Sequence, residues 1–447
     1  MLFNSYSFIF LFLLPVVGIF FLLKPVHRLG FLILASLIFY AQWSMAHLGL
    51  LIASILFNYL SALLMMRSSH KRTILTLAIL GNLSPLIYFK YSLFLHLSTQ
   101  SLLLPLAISF YTFQQIAFLV DLYREKITRG TFREYLFFVI FFPQLIAGPI
   151  VHYRQIITQV RDGALESARW HYIHRGILLF SMGLFKKIVL ADQFFPIANS
   201  AFGHVGTLSS LEAWVGLFAY SFGIYFDFSA YTDMAIGLAL LFGLRLPINF
   251  DSPYKAVNII DFWRRWHITL SDFLRDYIYI PLGGNRRGEY REVFNLIVTM
   301  TLGGIWHGAG WTFLLWGLLH GLLLSIVHLK NRYLLHWKIP DMAAIVITFI
   351  SVSLLWVLFR SESVEEAEIY YEALFDFGKA DLPAINLYGI AIGLGIVWLL
   401  PNSIEFSGYR KEIRLGWRYA LVAALLSFMA LKMMAEAPAQ TFVYFNF

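Results

Sequence analysis

The sequence predicts an all-α polytopic membrane protein, and three observations carry that prediction. Charged residues make up only 13% of the 447-residue chain against 59% hydrophobic, about half the charged share of a soluble globular protein. The apolar residues fall in runs long enough to cross a bilayer, which takes roughly 20 residues. The basic residues gather in short connections between those runs, where 34 Lys+Arg against 26 Asp+Glu give a net charge of +8. In that setting the excess reads as the positive-inside bias of an inner or plasma membrane protein, and no nucleic-acid partner is expected. The chain has no cysteine, which excludes disulfides, thiolate metal sites, iron–sulfur clusters and a cysteine-linked acyl intermediate.

The length criterion marks residues 7–23, 29–45, 48–66, 73–89, 101–120, 135–150 and 176–190 as spans. The run 211–244 has room for two helices or one broken one, and 294–307, 311–329, 342–359, 386–400 and 419–434 complete the set. That is on the order of 11 to 13 membrane segments, some of them incomplete. No small-residue cleavage site follows the first run, so it is expected to be a retained span.

The loops set the orientation. Lys24 and Arg28 lie in the first loop, Arg67, Lys71 and Arg72 in the third, and Arg124, Lys126, Arg129 and Arg133 in the fifth. The second loop, around Ala46 and His47, has no basic residue, and Lys90 stands near the start of the fourth. This alternation places odd-numbered loops in the cytoplasm and the amino terminus outside. Lys330, Arg332 and Lys338 read as cytoplasmic, as do Arg410, Lys411, Arg414 and Arg418. The acidic stretch through Glu362, Glu365, Glu366, Glu368 and Glu372 reads as an outside surface helix, with the carboxyl terminus outside too. The middle breaks the pattern: 151–175 is rich in Arg, Lys186 and Lys187 sit inside an apolar run, and 249–281 is too charged to span. Re-entrant or in-plane segments around a central chamber account for this, because irregular backbone survives at membrane depth only beside protein or water.

The stretch 261–277 carries the first chemical signal. At about 100° per residue, Asp261, Arg264, Arg265, Asp272, Arg275 and Asp276 share an arc of roughly 120°. Trp263, Trp266, Leu270, Phe273, Leu274 and Tyr277 take the opposite side, as on a helix lying at the interface. His267 falls with the apolar set. It is either a core histidine bonded to a nearby carbonyl or a catalytic or substrate-positioning group, since ionisable residues inside a membrane are expensive and usually functional.

The second signal is 303–311, which holds Gly303, Gly304, Gly308 and Gly310 around Trp306 and His307. Glycine costs a helix about 1 kcal/mol relative to alanine, so this run predicts a sharp break or a close approach. A histidine there is well placed as a base, its ordinary pKa being near 6.5; the alternative is glycine-permitted helix packing with His307 bonded across helices. Asp227 and Asp233 are expected to fix helix geometry or pair with an arginine. Gln144 and His152 flank a turn at Gly148 and Pro149, and His320 and His328 are expected to meet neighbouring helices. No histidine–carboxylate spacing matches a zinc signature, and no metal is expected.

Taken together, these residues resemble the membrane-bound O-acyltransferase superfamily, in its bacterial branch typified by alginate O-acetyltransferase. The likeness runs nearly end to end. It is densest at 225–233, at the run from Phe262 to His267, from Arg275 through Arg286, and at 303–308, with support from 143–149 and the aromatic tail 442–447. The resemblance implies a ring or funnel of tilted transmembrane helices with re-entrant and in-plane helices around a central chamber. It implies one integral-membrane domain over 1–447, with amino-terminal spans in 1–150, a catalytic core in 151–330 and carboxyl-terminal spans in 331–447. It also implies that His307 is the catalytic histidine and His267 the second signature position. The connection at 404–417 is shorter than in alginate acetyltransferase, which leaves the polymer open.

The expected reaction is acetyl transfer from cytoplasmic acetyl-coenzyme A, as substrate and with no bound cofactor, to hydroxyls of an exported polysaccharide or peptidoglycan. An extracytoplasmic partner protein is expected to carry the acetyl group, in a multi-pass protein of the bacterial inner membrane. A hydroxyl needs a positioned base, a contribution of roughly 10²–10⁴-fold; His307 fits that role. His267 either orients the acceptor or stabilises the oxyanion. Arg264, Arg265, Arg286 and Arg287 either attract coenzyme A phosphates or balance charge at the interface, and Trp266, Trp306 and Asp233 complete the candidate binding set. A secondary transporter of a lipid or sugar precursor is the competing reading; against it, the Trp-His signatures occur only in the second half, without the paired repeats such proteins show.

Overall fold

The computed structural model describes residues 1–99, 103–334, 339–378, 387–411, 415–436 and 440–443. Every regular element among them is helical. In chain order they are α1 (Ser7–Leu22), α2 (Pro25–Ala41), α3 (Met45–Arg67), α4 (Lys71–Tyr91), α5 (Ile108–Tyr123), α6 (Phe132–Ile140), α7 (Phe142–Leu145), α8 (Tyr153–Arg161) and α9 (Trp170–Phe185). Then follow α10 (Asp192–Gly203), α11 (Ser210–Leu241), α12 (Ile259–Trp263), α13 (Ile268–Leu274), α14 (Glu289–His307) and α15 (Trp311–Tyr333). The last are α16 (Asp341–Arg360), α17 (Val364–Phe375), α18 (Leu387–Leu399), α19 (Ser403–Phe406) and α20 (Trp417–Glu436). Among the described residues six helices are long and apolar enough to cross a membrane: α3, α4, α11, α15, α16 and α20; α1, α2 and α18 are shorter apolar helices. The chain is an all-α polytopic membrane protein. Lys338, Arg414, part of the expected span starts at 101 and 386, and Tyr444, Phe445, Asn446 and Phe447 of the aromatic tail lie outside the described residues.

Two compact units interleave along the chain: 1–185, 230–248 and 407–447 form the first, 186–229 and 249–406 the second. The run 211–244, expected as two helices or a broken one, is the single unbroken α11 of 32 residues. Its apolar window is wholly buried, so it has no polar face to turn and no need to break.

In the first unit α9 lies directly on the end of α11. A Cβ on Gly183 would come within 2.7 Å of the Ala230 carbonyl, and one on Gly237 within 2.6 Å of the Gly176 carbonyl. The expected span 135–150 does not exist. Pro143 cannot supply the N–H that a continued α6 needs, and the chain breaks at Phe141. Three buried side chains satisfy the groups set free: Ser36 Oγ accepts from Phe142 N at 3.1 Å, while Gln114 and Gln144 both donate to the Phe138 carbonyl at 2.8 and 2.7 Å. Gln144 is therefore more than a turn residue.

That break resolves the irregular charge pattern. The chain returns through α8, where Arg161 makes a two-pronged pair with Glu134 at 2.7 and 2.9 Å. Arg28, expected in a loop, is instead buried in α2 and donates to the Leu165 and Glu166 carbonyls at 2.8 and 2.9 Å. Lys71 pairs with Glu125 at 3.5 Å. The basic connections at 24–28, 67–72, 124–133 and 151–169 thus meet at one end of this unit, and the Arg-rich segment joins the other basic loops.

In the second unit Lys187 sits in a π-turn, Lys186–Ala191, that leads into α10. Its ammonium is fully buried between Asp192 at 2.8 Å and Asp227 at 2.7 Å. Of the two roles expected for Asp227, fixing helix geometry or pairing with an arginine, the pairing holds with the cation changed: its partner is a lysine. The stretch 261–277 is not one amphipathic helix: α12 ends at Trp263, a turn follows, and α13 starts after His267, whose φ of +42° lies in the left-handed region. A wheel drawn through such a residue loses its phase. Of the acidic stretch, Glu365, Glu366, Glu368 and Glu372 stand in the helix α17 and Glu362 precedes it.

Two predictions follow from these pairs. Arg161 beside Glu134, with Thr131 backbone support, holds the Glu134 carboxyl below its usual range. A depressed carboxylate pKa contributes stability above the unfolded value near 4.3, lost as pH falls through the folded value. Glu134→Gln should therefore melt a few degrees lower at pH 7 but match the parent once pH falls below that value, a difference of about 1 kcal/mol or less for a half-exposed pair; thermal scanning in detergent reads it. Lys187→Met removes the cation shared by two buried carboxylates and should cost about 3–5 kcal/mol, with Asp227→Asn in the same chain recovering part of the loss.

Candidate active site

The site is built on the α14–α15 hairpin of the second unit. A Cβ on Gly304 would lie 2.9 Å from Gly317 Cα, and one on Gly321 2.7 Å from Ile297 Cα. The two helices therefore meet backbone to backbone, the packing that small residues permit inside membranes. The glycine run serves both expected purposes. Gly304 is part of this seam, and α14 ends at His307, with Gly308 and Gly310 extended before α15 begins at Trp311.

His307 thus stands at a helix end, only 2% exposed. Its ring lies 4.9 Å from Trp306, 5.2 Å from Trp316 and 5.2 Å from Phe359, centroid to centroid. Trp306 also reaches the second histidine, its ring 6.3 Å from His267. The structure therefore gathers both candidate histidines around one buried indole.

His267 is fully buried in the connection between α11 and α14, outside the six spans. Burial pushes its imidazole down to about 3, so the ring is neutral. Asn249 decides which nitrogen carries the proton. Its Oδ1 accepts from Thr269 N at 3.2 Å and from Thr269 Oγ1 at 2.9 Å, which identifies that atom as the oxygen, and it lies 3.1 Å from His267 Nδ1. An oxygen cannot donate, so His267 Nδ1 does. The lone pair is then on Nε2. A neutral imidazole in this tautomer accepts at Nε2, which suits it to orient a hydroxyl and not to donate to an oxyanion.

The other candidates divide. Trp266 is a packing residue, stacked on Phe262 at 5.6 Å and set against Trp356 at 5.0 Å. Arg265 is paired with Asp261 at 2.8 Å; Arg264, Arg286 and Arg287 are exposed. Asp233 is buried in the part of α11 that belongs to the first unit. A cavity of about 460 Å³ in the second unit is lined by Leu323, Lys330, Asp341 and Thr348 among others, and by neither histidine. His328 meets α14 as expected, 3.6 Å from Glu292. Sequence reasoning passed over Asn249; His320 meets a neighbouring helix, as expected. That histidine is fully buried, accepts from Trp263 Nε1 at 3.2 Å and lies 4.6 Å from the Trp316 ring. The signal for Asn249 was its place as an amide in the too-charged stretch before His267.

Asn249→Leu should free the His267 proton to move between ring nitrogens, while Asn249→Asp, which keeps the acceptor, should hold it on Nδ1. Ring ¹⁵N shifts of labelled histidine, assigned by difference against His267→Gln, read the tautomer directly. The leucine variant should also lose about 1–3 kcal/mol for the buried Thr269 groups left unpaired.

The sequence pattern of the membrane-bound O-acyltransferase family matches residues 122–330, a range that contains His267, His307 and His320. A peptidoglycan O-acetyltransferase of Helicobacter pylori is 45% identical over 415 residues, 82% of this chain and 78% of the relative. A probable alginate O-acetylase of Pseudomonas putida is 34% identical over 496 aligned positions, covering both chains fully. A teichoic acid D-alanyltransferase of Streptococcus thermophilus is 29% identical over 240 residues, about half of each chain. Identity at this level over this share of the length, around two buried histidines on one indole, makes the chain a member of the membrane-bound O-acyltransferase family.

Proposed function

We propose that the protein moves an acetyl group from cytoplasmic acetyl-coenzyme A to hydroxyls of an exported polymer at the cell envelope. The acceptor class is that of its relatives, peptidoglycan or an exopolysaccharide such as alginate, and a partner protein outside the membrane relays the acetyl group. The single observation that carries the mechanism is His307 at the glycine-permitted end of α14, buried against Trp306, Trp316 and Phe359.

In this reading the acceptor hydroxyl hydrogen-bonds to His267 Nε2, whose acceptor character Asn249 sets. His307 takes the hydroxyl proton as oxygen forms its bond to the thioester carbonyl carbon. The C–S bond then breaks, and the thiolate leaves with that proton. The aromatic wall excludes water, which suppresses hydrolysis of the thioester and strengthens each polar contact. Arg264, Arg286 and Arg287, exposed near this segment, supply charge for the coenzyme A phosphates; Arg265, already committed to Asp261, contributes less. The protein lies in the bacterial inner membrane with its basic loops in the cytoplasm and both termini outside, in accord with the basic connections gathered at one end of the first unit.

His307→Ala should insert and fold yet lose roughly 10²–10⁴-fold in transfer. Purified protein is given isotopically labelled acetyl-coenzyme A and candidate acceptors, and mass spectrometry follows the label. Undiminished acetylation of polymer by the folded variant would refute the role given to His307.

A further inference from the structure

Trp263, Trp316 and His320 form a chain of polar aromatic groups whose N–H bonds the mechanism above does not use. Trp263 Nε1 can only donate, so the His320 Nδ1 that receives it at 3.2 Å carries no proton. The ring is therefore neutral, and its only N–H is at Nε2. His320 Nε2 is buried and has no hydrogen-bond partner among the described residues, and the same is true of Trp316 Nε1. Both residues are at most 1% exposed. Four positions apart on α15, they share one helix face, with rings 4.6 Å apart and the Trp316 ring 5.2 Å from His307.

Two buried N–H groups without acceptors, side by side next to the base, are costly to the fold unless a ligand uses them. His267 cannot fill that part, because its tautomer leaves an acceptor at Nε2. We propose that Trp316 Nε1–H and His320 Nε2–H bind the carbonyl oxygen of the acyl donor and hold the negative charge it gains. As the acceptor oxygen adds to the carbonyl carbon, the C=O π electrons move onto that oxygen, where the two N–H groups donate to it. When they return, the C–S bond breaks. Trp263 is a positioning residue: it fixes the tautomer of His320. The proposal rests on the acyl-transfer reading of His307.

The test uses the full chain in lipid nanodiscs and a carbonyl-¹³C ketone analogue of acetyl-coenzyme A that lacks the scissile C–S bond. Infrared difference spectra should show the bound carbonyl stretch lowered in the parent protein. In Trp316→Phe, which keeps the ring packing, and in His320→Asn, which keeps an acceptor for Trp263 but loses the donor, the stretch should move back toward its free value. In both, kcat for transfer should fall about 10²–10³-fold with KM little changed. His320→Gln, whose amide N–H reaches the Nε2 position, should retain most of the shift and of kcat. An analogue that binds with the same stretch in the parent, Trp316→Phe and His320→Asn overturns this pairing while leaving the role of His307 standing. An analogue that does not bind at all overturns the thioester-donor reading and the pairing with it.

Discussion

Gly304 and Gly317 allow α14 and α15 to touch through their backbones, and the arrangement around His307 depends on that approach. With their Cα atoms this close, Trp316 on one helix is pressed against His307 at the end of the other. A Cβ at Gly304 would lie 2.3 Å from the Phe313 carbonyl oxygen and one at Gly317 2.4 Å from that of Met300, so a side chain at either glycine would force the backbones to shift. In water such a seam would be one packing solution among many. In lipid, where burying apolar surface between helices gains little, close backbone approach is itself a main source of association.

The same economy governs the irregular backbone. Each break carries its own polar side chains to satisfy the groups it frees. Ser36, Gln114 and Gln144 close the break at Phe141. Asn249 and Thr269 close the turn where His267 enters the left-handed region. At the π-turn it is a side-chain charge that needs partners, and carboxylates from α10 and α11 hold the Lys187 ammonium. An unmade backbone hydrogen bond away from water costs several kcal/mol, so these residues are structural requirements of the breaks before they are anything else. Asn249 shows how such a requirement becomes chemical: the oxygen that satisfies Thr269 also sets the proton on His267.

Long apolar runs were legible because length and composition decide whether a helix can span, and α2, α3, α4, α15, α16, α18 and α20 stand where the runs predict. What escaped were the interruptions. A hydrophobic run over 135–150 looks like a span until the missing N–H of Pro143 is weighed against the residues that replace its bond, and those lie on other helices. The wheel over 261–277 assumed one continuous helix, and a single left-handed residue voids it. Charge counting failed for Arg28 because a buried arginine bound to carbonyls no longer reports a loop. The burial of His267 and His307 beside an indole was legible from glycine, tryptophan and histidine set together in apolar surroundings. The tautomer of His320 was not, because on a helical repeat it looks like any histidine facing a neighbour; only the indole N–H of Trp263, far away in the chain, gives it a defined proton.

That proton connects the two halves of the chemistry. His267 and His320 are both neutral and fully buried, yet their neighbours set them in opposite tautomers. Asn249 accepts from His267 and leaves it an acceptor; Trp263 donates to His320 and leaves it a donor. Acyl transfer needs one of each, an acceptor where a hydroxyl must be held and a donor where a carbonyl must gain charge. Building both from neutral rings avoids the desolvation of buried ions, which costs far more than burying hydrogen-bonded neutral groups. Fixed N–H dipoles also need no reorganisation when charge develops, and in a water-excluded site they act at close to full strength. The formal charges nearby, at Arg264, Arg275, Arg286 and Arg287, stay exposed, where water solvates them. Division of labour between a charged rim and a neutral interior is thus what a membrane setting imposes on an O-acyltransferase, and the opposed tautomers are how neutral side chains supply both an acceptor and a donor.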